Sequence, residues 1–122
     1  MKSTLAMHSI LETAVLTADI VMIQEPWIGP NITTVSHPSF DCILPGGVTP
    51  TSHPRVALFF SKTHPSLRIQ PRDDLLQDPD AQAFEVQTPA IPPILIYNIY
   101  NQKDGNGDFT LERLFTSNTT LA

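Results

Sequence analysis

The chain has 122 residues, 41% hydrophobic and 16% charged, which allows one domain with a moderate core and excludes both a second full domain and a disordered tail. The net charge is −5 and the 7 lysines and arginines are scattered, which argues against a strong, sequence-independent grip on nucleic acid. No apolar run approaches the roughly 18 residues of a membrane span, and a lone cysteine forms no internal disulfide, so a soluble intracellular protein with no membrane partner is expected.

Ser3 or Thr4 suits a helix N-cap, and Leu5, His8, Ile10, Leu11, Ala14 and Val15 follow at helical spacing, predicting an amphipathic helix over 4–16. A helix that leads into a buried strand reads as the second half of a strand, helix, strand crossover whose first strand is missing. That strand is Ile20 to Gln24, an apolar run rich in β-branched residues. Pro26 has no amide hydrogen and a fixed φ, so pairing must stop there. Glu25 is left at the mouth of the strand, where α/β proteins place their chemistry.

Gly29-Pro30-Asn31 is a turn, and Ile32 to Val35 is either a short edge strand or an extended loop. Phe40 to Leu44 predicts a brief strand with Cys42 as a small buried residue. Residues 45–54 carry three prolines and two glycines and must be a loop. From Val56 to Phe60 the chain is uninterruptedly apolar, the pattern of a strand covered on both faces inside a sheet, here spanning 55–61. Leu67 to Ile69 alternates as a short strand. Ala83 to Gln87 has a period of two with one wet side, Pro89 to Pro93 breaks it, and Ile94 to Tyr100 is another buried strand. Gln102 to Asp108 is a polar, glycine-rich loop before a helix over 109–115.

These strands predict a mixed, mostly antiparallel sheet with flanking helices. One full helix cannot cover both faces of such a sheet, so either a partner protein or further chain is expected to do so.

Glu25 gains weight from its company. Gln24-Glu25-Pro26-Trp27 after an Asp-Ile-Val-Met-Ile strand, a downstream strand opening Arg55-Val56-Ala57, and the strand Asn98-Ile99-Tyr100-Asn101 together resemble the endonuclease/exonuclease/phosphatase superfamily. Within it the likeness is to the endonuclease domain of LINE-type, non-LTR retrotransposons, over about residues 5–115. The resemblance implies an α/β, four-layer sandwich, truncated here at both ends, and a metal-dependent phosphodiesterase acting on DNA. It makes Glu25 a ligand of Mg2+ (or Mn2+) and Tyr100 the active-site phenol, with Asn98 and Asn101 as weaker candidates. These two asparagines equally suit amides that satisfy backbone groups where a strand ends. A nuclear location follows if the parent retroelement protein is intact.

The family's asparagine on an earlier strand and its later Gly-Asp-Phe-Asn and Ser-Asp-His motifs have no counterpart here. Gly107-Asp108-Phe109 continues with Thr110 and reads as a loop and helix cap. His37, His53 and His64 each precede a proline and His8 lies on the helix, so all four are expected at the surface rather than as bases. Trp27 is either a cleft wall or a loop anchor. The chain is therefore expected to be inactive as it stands. Two other readings remain open: a non-catalytic remnant or protein-interaction module, and a phosphatase of the same superfamily acting on a small molecule or lipid.

Overall fold

The computed structural model describes residues 2–46 and 53–115, so much of the expected 45–54 loop lies outside the described residues. Helix α1 runs Thr4–Ala14, capped by Ser3, whose hydroxyl accepts the Ala6 N–H at 3.1 Å. Such a cap contributes about 1 kcal/mol. The helix stops before residue 16 because the Thr17 and Ala18 N–H groups both close on the Ala14 carbonyl and turn the chain.

Three strands follow: β1 (Ile20–Gln24), β2 (Phe40–Ile43) and β3 (Val56–Ser61), paired antiparallel in the order β1-β3-β2. β3 is central, as its apolar run predicts, and Val56, Ala57, Leu58 and Phe59 are fully buried. Ile32 to Val35 forms no strand; a bridge between Gly29 and Thr33 closes that loop instead. Cys42 does lie on a strand, but it is exposed rather than buried: it shares a face with buried Phe40, yet β2 is an edge strand and that face is left uncovered at Cys42.

A second antiparallel sheet contains β4 (Arg68–Pro71), β5 (Ala81–Thr88) and β6 (Ile91–Ile99), in that order. β6 begins before the expected Ile94 and carries Pro92 and Pro93 within it. The strand tolerates them because it lies at the sheet edge and the register slips between Val86 and Thr88, leaving both prolines outside the paired positions. Short helix α2, Thr110–Phe115, ends the described chain.

The molecule is thus a small α/β domain, and the single mixed sheet expected from the sequence is two sheets with only antiparallel pairing among the named strands. Alternation along each strand sorts the core. Ala57, Phe59 and Ile23 pack with Met7 and Leu11 of α1, whereas Leu58 and Ile20 point the other way, onto Phe84, Val86 and Ile96 of the second sheet. Ala81, Ala83, Tyr97 and Ile99 face outward under Leu76, Leu114 and Phe115. The sheets therefore cover each other, which reduces the need for a covering partner. Met22, Ile91 and Ile94 remain exposed. The outer side of β5 is wet only near Glu85 and Gln87 and dry at Ala81 and Ala83, where the 72–80 segment and α2 lie over it.

Candidate active site

β1, β2 and β6 finish, and β3 and β5 begin, at the same end of the two sheets. Amide side chains knit that end together. Gln24 donates from Nε2 to the Ile99 carbonyl at 2.7 Å, joining β1 to β6. Asn98 donates from Nδ2 to the Ala57 carbonyl at 3.3 Å and to Gln82 Oε1 at 2.9 Å, and Gln82 Nε2 donates to the Ile43 carbonyl at 3.1 Å. Three of these four bonds cross from one sheet to the other, and the Asn98–Gln82 bond links two of the crossing side chains within the second sheet, so the relative position of the strand ends is set by hydrogen bonds as well as by packing.

Just beyond this polar seam stand Glu25, Arg55 and Tyr100. Glu25 has φ of 53°, a left-handed conformation that costs a residue with a Cβ roughly 1–3 kcal/mol. It is held there by its N–H, which donates to the Arg55 carbonyl at 2.7 Å, and by its carbonyl, which accepts the Lys2 N–H at 2.8 Å. The following buried Pro26 fixes the exit of the chain. The Glu25 carboxylate stands beside the Tyr100 phenol, near enough to hold its proton, and the Arg55 guanidinium lies 4.0 Å away. Glu25 and Arg55 keep 38% and 39% of their side-chain surface, so the pair remains reachable from solvent. Lys2 reaches the Gln24 carbonyl, one residue before the acid, through Nζ at 2.7 Å.

Tyr100 is oriented by its own N–H, which donates to the Asp80 carbonyl at 2.8 Å. Its phenol keeps its proton to higher pH than a free tyrosine. The hydrogen bond to Glu25 is the main cause, burial and the Glu25 charge add to it, Arg55 opposes it, and Asp80 contributes in the same direction as Glu25. The phenol is therefore a hydrogen-bond donor at neutral pH, not an anion.

The sequence-predicted residues separate here into those that share the site and those that support it. Glu25 and Tyr100 meet. Asn98 is buried in the seam, its amide engaged by Ala57 and Gln82. Asn101 is exposed one residue past Tyr100, and its Oδ1 accepts the Leu111 N–H at 3.0 Å at the start of α2.

Sequence reasoning missed the acids beneath Tyr100. Asp80 is buried and accepts from both sides: the Gln102 amide at 3.0 and 2.9 Å, the Thr110 hydroxyl at 3.3 Å and Arg113 at 3.3 Å. Arg113 also pairs with Asp78, which is the main reason its guanidinium is held even more firmly protonated than usual. This network fastens α2 and the loop after Tyr100 to the start of β5. Asp-Pro-Asp before a strand gave no hint of it, since the partners come from far along the chain.

The histidines need correcting. His37 is buried, not at the surface: Nε2 lies 2.7 Å from Glu12 Oε1, and Nδ1 accepts the Ser39 N–H at 3.0 Å. With Nδ1 an acceptor, the neutral ring carries its proton on Nε2 and donates to Glu12. His64 repeats the turn in a second His-Pro-Ser, accepting the Ser66 N–H at 3.3 Å. The imidazoles act here as turn-closing acceptors. Asp108 is exposed in the loop, its N–H accepted by Asp104 Oδ1 at 3.0 Å.

Trp27 anchors its loop, as one of its two expected roles has it. Its ring packs against the α1 core and over Gly29, and it also lines an open cleft of about 690 Å³. Among the described residues, no group of three histidine, cysteine or acidic side chains is placed to hold a metal ion, and no helix is long and apolar enough to cross a membrane.

Compared with known proteins, the chain matches no family model, no curated protein and no solved structure.

Proposed function

We propose that the chain carries part of a metal-dependent phosphodiesterase site of the endonuclease/exonuclease/phosphatase kind, suited to DNA in a retroelement. The observation that supports this reading is the meeting of the Tyr100 phenol and the Glu25 carboxylate, which stand beyond the ends of strands from two different sheets, with Arg55 4.0 Å from the acid. Nothing about stability requires an acid in a left-handed conformation there, half-exposed and flanked by a phenol and a guanidinium. Such a group is a functional candidate on physical grounds.

A lone carboxylate suits Mg2+ (or Mn2+), which keeps several waters and takes one or two protein acids together with substrate phosphate. Bound at Glu25, the ion would polarise a phosphoryl oxygen and offset charge on the leaving oxygen. Around it, Tyr100 would offer a neutral donor to a phosphate oxygen once a cation takes the Glu25 carboxylate that otherwise holds its proton, and Arg55 supplies a permanent positive charge. A general base is not supplied by His37 or His64, whose Nδ1 atoms are already engaged. We accordingly assign this chain phosphate binding without efficient turnover.

The finer fold belongs to the same proposal. Packing of α1 outside the first sheet and of α2 outside the second, with the sheets facing each other, supports an arrangement of the four-layer α/β sandwich type.

One observation favours a second reading, a protein-interaction module. Met22 on β1 and Ile91 and Ile94 on β6 are 48%, 44% and 44% exposed, and both strands are sheet edges. Fluorescence anisotropy of a labelled DNA duplex separates the two. Binding strengthened at least fivefold by Mg2+ and returned to the metal-free level by Glu25→Gln supports the phosphodiester site. Binding indifferent to both Mg2+ and Glu25 overturns it.

A further inference from the structure

Two residues past Glu25 the chain builds a second feature that metal chemistry does not need. Trp27, Gly29, Asn31, Ile32 and His53 line the open cleft of about 690 Å³, well inside the size range of small-molecule sites. The Trp27 indole lies so close over Gly29 that a Cβ there would overlap it, so the ring is seated by a glycine. Trp27 N–H donates to Met7 Sδ at 3.0 Å, and its carbonyl accepts the Thr34 hydroxyl at 2.6 Å. Gly29 N–H donates to the Thr33 carbonyl at 2.7 Å and closes the loop. Within that loop Asn31 and Ile32 have φ of 59° and 52°, the second a β-branched residue in a conformation such residues rarely adopt. The part of the lining formed by Asn31 and Ile32 is thus a strained, pre-set loop rather than a slack one.

The lining decides the ligand. Asn31 and His53 are the polar side chains among the described residues that form it, and neither is a permanent cation, so a phosphate group gains little there. A flat aromatic ring gains more. It can stack on the indole while its edge meets an amide and an imidazole that both donate and accept hydrogen bonds. Two residues of chain span at most about 7 Å, comparable with the reach from a phosphate to its own base.

We propose that this cleft binds a nucleobase, that of the nucleotide adjoining the phosphate held at Glu25 and Tyr100. The choice of ligand rests on the phosphodiesterase reading of those two residues. The cleft itself does not.

Trp27 is the sole tryptophan of the chain, so its emission reports directly on the site. The test is titration of the whole chain, in EDTA, with adenosine 5′-monophosphate and separately with ribose 5-phosphate. Stacking predicts saturable quenching by the nucleotide, with ribose 5-phosphate roughly 5- to 150-fold weaker, the range expected for one stacked base. Equal quenching by both ligands, or none by the nucleotide at millimolar concentration, overturns the proposal. Because metal and turnover are absent from the titration, loss of Mg2+-dependent DNA binding leaves its outcome standing. Failure to quench, conversely, leaves the metal site at Glu25 untouched.

Discussion

The Tyr100 phenol stands beside the carboxylate of Glu25 across the junction of two sheets, while one position earlier Gln24 donates to the carbonyl of Ile99 at 2.7 Å. The two pairs run side by side from the end of β1 to the end of β6. The outer one is half-exposed and bears ionisable groups, and the inner one holds the strand ends in register.

The outer pair has a pH signature. A folded-state pKa raised above the unfolded value means that the pairing stabilises the fold below the ordinary tyrosine pKa of about 10 and that this stabilisation is lost as pH rises through the higher folded value. Glu25→Gln should therefore lower the Tyr100 midpoint toward that of a free phenol and leave Tyr97 where it is. Resonance-by-resonance NMR titration of the two tyrosines reads this. An unmoved Tyr100 would mean that the phenol does not depend on Glu25.

The inner seam predicts a stability loss without a functional one. Asn98→Ala strips the Ala57 carbonyl and Gln82 Oε1 of a buried donor, a change expected to cost about 2 kcal/mol. Urea denaturation should show a lower midpoint with an unchanged slope. A cost below about 0.5 kcal/mol would make Asn98 dispensable to the seam and reopen a direct role for it.

Catalysis by the chain itself should be feeble. It has a carboxylate, a phenol and a guanidinium at the site but no assigned base, and acid–base assistance commonly contributes about 10² to 10⁴-fold. Plasmid relaxation in Mg2+ should stay near background. Vigorous nicking that disappears in Glu25→Ala would show that a base has been overlooked.

Gly29 should be intolerant of a side chain. A Cβ there would overlap the Trp27 ring, so Gly29→Ala must push the indole from its seat, at a cost of about 1–3 kcal/mol, and redden its emission toward that of a solvated ring. Unchanged emission would mean that the loop yields instead of the ring.

Local pattern carried a good deal of this molecule. β1 was legible in its β-branched run, the central place of β3 in its lack of alternation, and the position of Glu25 in the proline that follows it. What pattern could not show was partnership. Strand periodicity says which residues are buried but not against what, so the division into two mutually covering sheets stayed hidden. Pro92 and Pro93 looked like breakers because the sequence does not reveal that their strand lies at an edge with a register slip opposite. His37 looked exposed because its partner, Glu12, sits on a helix far upstream. The Asp78, Asp80 and Arg113 network escaped notice for the same reason.

The central claim is that a divalent cation binds at Glu25 beside Tyr100, and Mn2+ tests it most directly through paramagnetic broadening of the tyrosine ring signals. Tyr97 is the internal control, since it lies on β6 with its ring turned to Phe115, 5.9 Å between centroids. Substoichiometric Mn2+ should broaden Tyr100 well before Tyr97, and Glu25→Gln should abolish the difference. Equal broadening of both rings, or selective broadening that survives Glu25→Gln, would contradict a metal site at this carboxylate.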